Sequence, residues 1–297
     1  MCGPGRRKRC SSRYPEAIMA PAYRALLLDL DGTLLNSAGG IHPRNRTALA
    51  GLEQRGVRVM IVTGRSAMSA APILDGLDLD LPAVIFNGAA VYCHRRGRLL
   101  EERVLANRVV RRALDFGAET EDLTLVQAGE RKLANHPNGE LEAAALDGLH
   151  GVELVEREEL RVDCIIRVTF LTMRHTCSVA YSEEVSTRLG APLYLTDFPL
   201  NALPVHRTNP MQVVDVHPPC RGKAEALRIL REEYGIRGED VVAVGDATND
   251  IPMFAGAGLS VAMGDGMQAA QAAADRVIGS HEGDALAELI SEVFPGA

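Results

Sequence analysis

The stretch "LLLDLDGTLLNS", residues 26–37, sets two carboxylates one residue apart at the end of an apolar run. Ala25 to Leu28 is uninterrupted hydrocarbon and reads as a strand covered on both faces. Ionised side chains in such a place are costly unless a cation compensates them. The stretch therefore predicts a buried strand with a cation at its carboxyl end.

Three further apolar runs end the same way in a polar cluster: "VRVMIVTGR" (57–65), "PAVIFNGA" (82–89) and "DVVAVGDATND" (240–250). Helical patterns lie between them, "RNRTALAGLEQRG" (44–56) and "GKAEALRILREEYG" (222–235), the second closing on a glycine suited to a helix C-cap. Strand alternating with helix predicts an α/β fold with a Rossmann-like, doubly wound parallel-sheet core. From about 90 to 210 the strand candidates ("LTLVQAG", "DCIIRVTFL", "APLYLTDF", then "MQVVDV") end in no such cluster. The expected organisation is a basic tail over 1–18, a catalytic core over 19–88 and 211–297, and an α/β cap domain inserted over 89–210. The tail reads as disordered, or as an upstream start with Met19 as the natural first residue.

The chain has 297 residues, 46% of them hydrophobic and 24% charged, as in ordinary globular proteins. Without residues 1–18 it carries 27 basic against 38 acidic residues, a net of −11, which argues against a nucleic-acid partner. No apolar run approaches the ~20 residues of a membrane-spanning helix. Six cysteines without a CxxC pair fit reduced thiols in a cytoplasmic protein. Oligomeric state is not legible in this sequence.

In an open parallel sheet, ligands bind at the carboxyl ends of the strands. That rule gathers Asp29, Asp31, Thr63, Asn87, Asp246, Asn249 and Asp250 at one edge. Residues i and i+2 of a strand face the same way, so Asp29 and Asp31 share a cleft provided the chain stays extended through Leu30. With Asp246 and Asp250 this makes four carboxylates, an oxygen-only cluster suited to Mg2+, which bridges to substrate phosphate.

"DLDGT" (29–33), "VTGR" (62–65), "GKAEAL" (222–227) and "GDATND" (245–250) resemble, in order, the four motifs of the haloacid dehalogenase (HAD) superfamily. "FNGAAV" and "VAMGDG" resemble its Cof-type branch, whose members carry a large α/β cap between the second and third motifs; Asp265 departs from the asparagine of many relatives. The resemblance implies a hydrolase, a Mg2+-dependent phosphatase acting on a small phosphorylated metabolite such as a sugar phosphate. It makes Asp29 the nucleophile that forms an aspartyl phosphate and Asp31 the acid/base, which needs burial or neighbouring carboxylates to hold a proton near neutrality. It gives the metal to Asp29, Asp246 and the backbone carbonyl of Asp31, with Asp250, and Asn249 beside it, completing the shell or orienting its waters. Thr63, Gly64, Lys223 and Asn249 fall to the phosphate.

Composition singles out Lys223 independently. The chain has three lysines, Lys8, Lys132 and Lys223, among 32 basic residues, so a compact ammonium is retained where arginine is otherwise used. Two rival functions stay open on these residues, a phosphomutase of the same superfamily and a non-catalytic phosphoacceptor or ligand-binding protein. Asn87-Gly88 reads equally as a plain turn and as a cap hinge.

Overall fold

The structure, a computed structural model, describes residues 23–149 and 151–295. In chain order its elements are β1 (Ala25–Leu28), α1 (Pro43–Gln54), β2 (Arg58–Ile61), α2 (Ala67–Asp75), β3 (Ala83–Ile85), β4 (Ala90–Cys93) and β5 (Arg98–Glu102). Then come α3 (Asn107–Thr120), β6 (Leu123–Ala128), β7 (Arg131–Asn135), α4 (Glu140–Ala145), β8 (Val152–Val155), β9 (Ile165–Thr172), α5 (Ser178–Leu189), β10 (Tyr194–Pro199) and β11 (Gln212–His217). The chain closes with α6 (Glu225–Tyr234), β12 (Val241–Gly245), α7 (Ile251–Phe254), β13 (Leu259–Ala262), α8 (Gln268–Ala273), β14 (Arg276–Val277) and α9 (Ala285–Val293).

The core sheet runs β14-β13-β12-β1-β2, every pair parallel. All four residues of β1 are fully buried, because side chains alternate between two apolar layers. Leu26 and Leu28 pack with Leu49 and Leu52 of α1 and with Leu286 and Ile290 of α9. Ala25 and Leu27 face the other way, onto Ala226 and Ile229 of α6 and Met253 of α7. The doubly wound core expected from the continuous apolar runs is thus the one observed. Helix α6 ends on Gly235 in the left-handed conformation, as its sequence predicts.

The cap sheet runs β10-β11-β9-β6-β7-β8 and is mostly antiparallel. One face, with Val126, Val168, Phe170, Val214 and Val216, is covered by Phe116 of α3 and Tyr181 and Val185 of α5. The other face lies open toward the core at one end and carries a small apolar cluster, with Leu125, Leu171 and Val213, at the other.

Two expectations are corrected. Residues 83–85 touch the core sheet through a single parallel bridge, Val62 to Val84, and otherwise pair antiparallel with β4 in a three-stranded sheet. Three successive positive φ angles at Phe86, Asn87 and Gly88 reverse the chain there. Residues 212–217, expected to open the returning core segment at 211, instead form β11 between β9 and β10. Burial of Val214 and Val216 against the cap helices holds that strand in the second sheet, so the core resumes only after His217. The expected tail, 1–18, lies outside the described residues.

Because Leu27 fills a layer that cannot relax without moving α6, Leu27→Ala should lower the unfolding free energy by about 2–5 kcal/mol, measurable by urea titration.

Candidate active site

Parallel pairing brings the polar strand ends together. Leu28 is in register with Val244 on one side and with Ile61 on the other, so Asp29, Asp246 and Thr63 leave neighbouring strands at the same edge. Gly32 turns the chain away at φ +74°, and a Cβ there would run into the Asp246 carboxylate. A glycine is required for that approach.

Lys223 lies in a 3-10 turn, Gly222–Ala224, that leads into α6. Its ammonium is 1% exposed and donates to Asp29 Oδ1 at 2.7 Å and to Asp250 Oδ1 at 2.6 Å. The second oxygen of Asp250 accepts the backbone N–H groups of Asp246 and Ala247, each at 2.9 Å. Asp250 therefore fixes both the lysine and the loop that carries Asp246. Asp29, Asp246 and Asp250 each offer an oxygen within 4.8 Å of the other two.

Three carboxylates against one ammonium leave two negative charges in a buried place. Burial, with lesser contributions from neighbouring carboxylates, pushes Asp29 up to about 7 and Asp246 well above the usual carboxylate range. Burial opposes charge on Lys223, but Asp250 and Asp29 outweigh it and hold the ammonium above its ordinary value. An all-oxygen donor set short of two positive charges fits a hard divalent cation such as Mg2+.

The structure does not bring Asp31 into this cluster through its side chain. The extended course through Leu30 is not taken, since the Leu30 carbonyl accepts the N–H groups of Leu34 and Leu35 in a turn. The Asp31 side chain is 54% exposed and bidentate to Arg65, with Oδ2 at 2.8 Å from Nε and Oδ1 at 2.5 Å from Nη2. The burial expected around Asp31 is absent, although its charge still acts on Asp29. Arg65, the last residue of "VTGR", carried no predicted role; its place beside the acid pair was the available signal.

Thr63 is buried, and its Oγ accepts the Arg65 N–H at 3.1 Å, which leaves the hydroxyl proton free to point elsewhere. Asn249 donates through Nδ2 to Asn87 Oδ1 at 3.0 Å, while its own Oδ1 is buried without a partner. Asn87, left-handed and buried, reaches on to Thr196 Oγ1 of β10 at 3.4 Å. The turn reading of Asn87 holds, and its side chain also reaches from core to cap. Two cap residues unforeseen in the sequence also meet the site. Tyr194 packs so closely on Gly222 that a Cβ there would strike its ring, and Arg167 Nη1 donates to the Gly64 carbonyl at 3.0 Å.

Residues 26–290 match the haloacid dehalogenase-like hydrolase family. The chain belongs to that family, in its Cof-type branch, and is a phosphatase. It is 28% identical to the pyridoxal phosphate phosphatase YbhA of Escherichia coli over 90% of this chain and 97% of that protein. It is 27% identical to the 5-amino-6-(5-phospho-D-ribitylamino)uracil phosphatase YwtE of Bacillus subtilis, over 92% of this chain and 99% of that one. A chloroplastic endoribonuclease of Arabidopsis thaliana is 27% identical over 91% of this chain, which spans only 46% of that longer protein. Among solved structures, a phosphatase of the same superfamily from Bacteroides thetaiotaomicron superposes with a TM-score of 0.77 at 24% identity, covering 96% of this chain and 99% of that one. Among the described residues no helix is long and apolar enough to cross a membrane.

Metal-free protein should show the strain of this site in its pH dependence. Asp29 is raised from 3.8 to about 7, so the folded state favours its neutral form. Its contribution to stability is complete below about pH 4 and is lost as pH rises through about 7. Added Mg2+ should consequently raise the melting temperature more at about pH 8 than at about pH 5, read by differential scanning calorimetry.

Proposed function

We propose that this phosphatase is Mg2+-dependent and hydrolyses small phosphorylated metabolites, sugar phosphates or similar, through an aspartyl-phosphate intermediate. The observation that carries the reading is the three-carboxylate, one-ammonium cluster at the strand ends, which is short of two positive charges. Asp29, Asp246 and the Asp31 backbone carbonyl would hold the cation, with Asp250 orienting the loop. Bound there, it would neutralise the carboxylates and polarise the phosphoryl group.

The chain's own residues then divide the work. Lys223 holds Asp29 Oδ1, which leaves Oδ2 to attack phosphorus in line while the P–O bond to the alcohol breaks. Thr63 Oγ–H, the Gly64 amide and Asn249 line the phosphate side, and the free Oδ1 of Asn249 suits a metal-bound or substrate-bound water. Asp31 must turn from Arg65 to protonate the leaving alcohol and later to take a proton from the attacking water. An ion pair as exposed as this one is worth only about 0–1 kcal/mol, so the turn is inexpensive. Tyr194, Thr196 and Arg167 bring the cap sheet onto the site, which favours small leaving groups over folded phosphoproteins. The substrates named for the curated relatives, pyridoxal phosphate and a ribitylamino-uracil phosphate, are of that size. We place the enzyme in the cytoplasm, where Cys93, Cys164, Cys177 and Cys220 would stay the free thiols they are here.

Phosphate release from sugar phosphates, nucleotides and p-nitrophenyl phosphate should require Mg2+ and stop with EDTA. Turnover without free phosphate, the group passing to a second hydroxyl, would make the enzyme a mutase instead. Asp31→Ala should slow turnover by about 10²–10⁴ while leaving metal binding in place; wild-type rates would remove Asp31 from the mechanism. Asp29→Asn should yield no trapped phosphoenzyme.

A further inference from the structure

Strand register orders the face of the cap sheet that looks toward the core. Gln127 lies opposite Arg167, and Val216 pairs with Val168, which puts His217 beside Arg167 on its other side. Tyr194 lies opposite His217, their ring centroids 6.0 Å apart. The row thus runs Gln127, Arg167, His217, Tyr194. It adjoins the reaction centre at two points, Arg167 on the Gly64 carbonyl and Tyr194 on Gly222, the residue before Lys223.

Gln127, Arg167 and His217 each keep hydrogen-bonding capacity that the fold does not use. His217 is 0% exposed, and neither ring nitrogen has a partner among the described residues; Gln127 Oε1 and Arg167 Nε are likewise buried without one. The rest of each side chain is engaged, Gln127 Nε2 on the Gly129 and Arg131 carbonyls and Arg167 Nη1 on Gly64. Native proteins pair nearly all buried polar atoms, so four unpaired ones beside a reaction centre mark where a ligand's own groups belong. The atoms also give the kind of group. Burial pushes His217 down to about 4, so its ring is neutral and offers one N–H and one bare nitrogen. Arg167 Nε adds a donor and Gln127 Oε1 an acceptor. Asp215 answers the Arg167 charge with an oxygen 3.5 Å from Nη1, and Lys132, beyond Gln127, has an interaction of its own. Two donors and two acceptors with the guanidinium already paired suit alcohols, which both give and accept a hydrogen bond. A carboxylate or phosphate would only accept, and an ammonium would only donate.

We propose that His217, with Arg167 and Gln127, is a specificity-determining residue that reads hydroxyl groups on the leaving side of the substrate. The assignment rests on the phosphatase reading for the phosphoryl group itself. Each hydroxyl accepts from one of these side chains and donates to another, so two hydroxyls complete the set. A plain alkyl chain in the same place leaves all four atoms buried and unpaired, and a site built to bond a hydroxyl rejects the analogue without it on that ground. The guanidinium lies over the Phe86 ring, 5.4 Å from its centroid, and donates to the Gly64 carbonyl, so it is held on two sides while Nε stays unspent.

Matched pairs of equal carbon count on the full chain with Mg2+ test this: sorbitol 6-phosphate against n-hexyl phosphate, and ribitol 5-phosphate against n-pentyl phosphate. Free phosphate gives kcat/KM, and calorimetry with a non-hydrolysable phosphonate analogue of each gives affinity without turnover. The hydroxylated member should be preferred by about 100-fold or more. His217→Phe keeps the ring's shape without its nitrogens and should cut that preference by about tenfold or more, while His217→Gln, which again offers a donor and an acceptor, should restore most of it. The ratio within a pair is the readout, because hydroxyls also ease departure of the alcohol and that effect is the same in every variant. No preference in the wild type, or one that His217→Phe leaves unchanged, overturns the assignment. Should His217→Phe fail to fold, Gln127→Met takes its place, and an unchanged ratio overturns the assignment equally. Phosphate release without hydroxyl preference rejects the His217 role alone; hydroxyl-dependent binding without phosphate release supports it and rejects the hydrolytic reading alone.

Discussion

The Lys223 ammonium between Asp29 and Asp250 is the interaction on which the rest of the molecule turns. It joins the end of β1 to the loop after β12 across a distance in sequence of about two hundred residues, the whole cap lying between. Removing one partner of such a buried pair typically costs about 3–5 kcal/mol, because the other charge is left uncompensated. Yet the pairing is incomplete by construction. One lysine faces three acids, so the folded chain carries an unanswered negative field at the one edge where its strands open. The Gly32 turn against Asp246 and the backbone donors to Asp250 serve to keep those oxygens at fixed positions.

Legibility in the sequence followed the physics of each level. The core was readable because Ala25 to Leu28 and its companions are buried on both faces, and continuous apolar runs have few other uses. Asp29, Asp246, Asp250 and Lys223 were readable because charged groups at the ends of such runs demand a partner. The exposure of Asp31 and its pairing with Arg65 were not, since they depend on whether a single residue, Leu30, continues the strand or starts a turn. Strand β11 was misassigned because its apolar alternation suits either sheet, and only packing against α3 and α5 decides between them. Arg167 and Tyr194 were invisible for a related reason: their roles arise from cross-strand register and from the docking of one sheet on another. Nothing local in "CIIRVTFL" distinguishes an arginine that faces water from one that bonds a loop of the core.

The cap sheet divides its open face in a way that complements the core. Its far end is hydrocarbon, closed by Leu200 and Met211, and its near end is polar and in contact with the Gly64 carbonyl of the core. Small-residue spacing makes the contact possible. Gly88 approaches the Gly222 carbonyl, and Gly222 in turn accepts the Tyr194 ring, so the core loop, the lysine turn and the cap strand stack without intervening side chains. A shift of the cap is therefore felt at Lys223 almost directly.

The Arg167 contact with the Gly64 carbonyl has an electronic reach beyond its length. Pulling on that oxygen polarises the peptide between Gly64 and Arg65, whose N–H is the donor held by Thr63 Oγ. Hydrogen bonds in a chain strengthen one another in a medium of low dielectric, so the threonine oxygen, more strongly engaged, becomes a more acidic O–H toward whatever sits in front of it. The guanidinium on the cap thereby acts as a remote volume control on a donor in the core, audible only while the two sheets are docked.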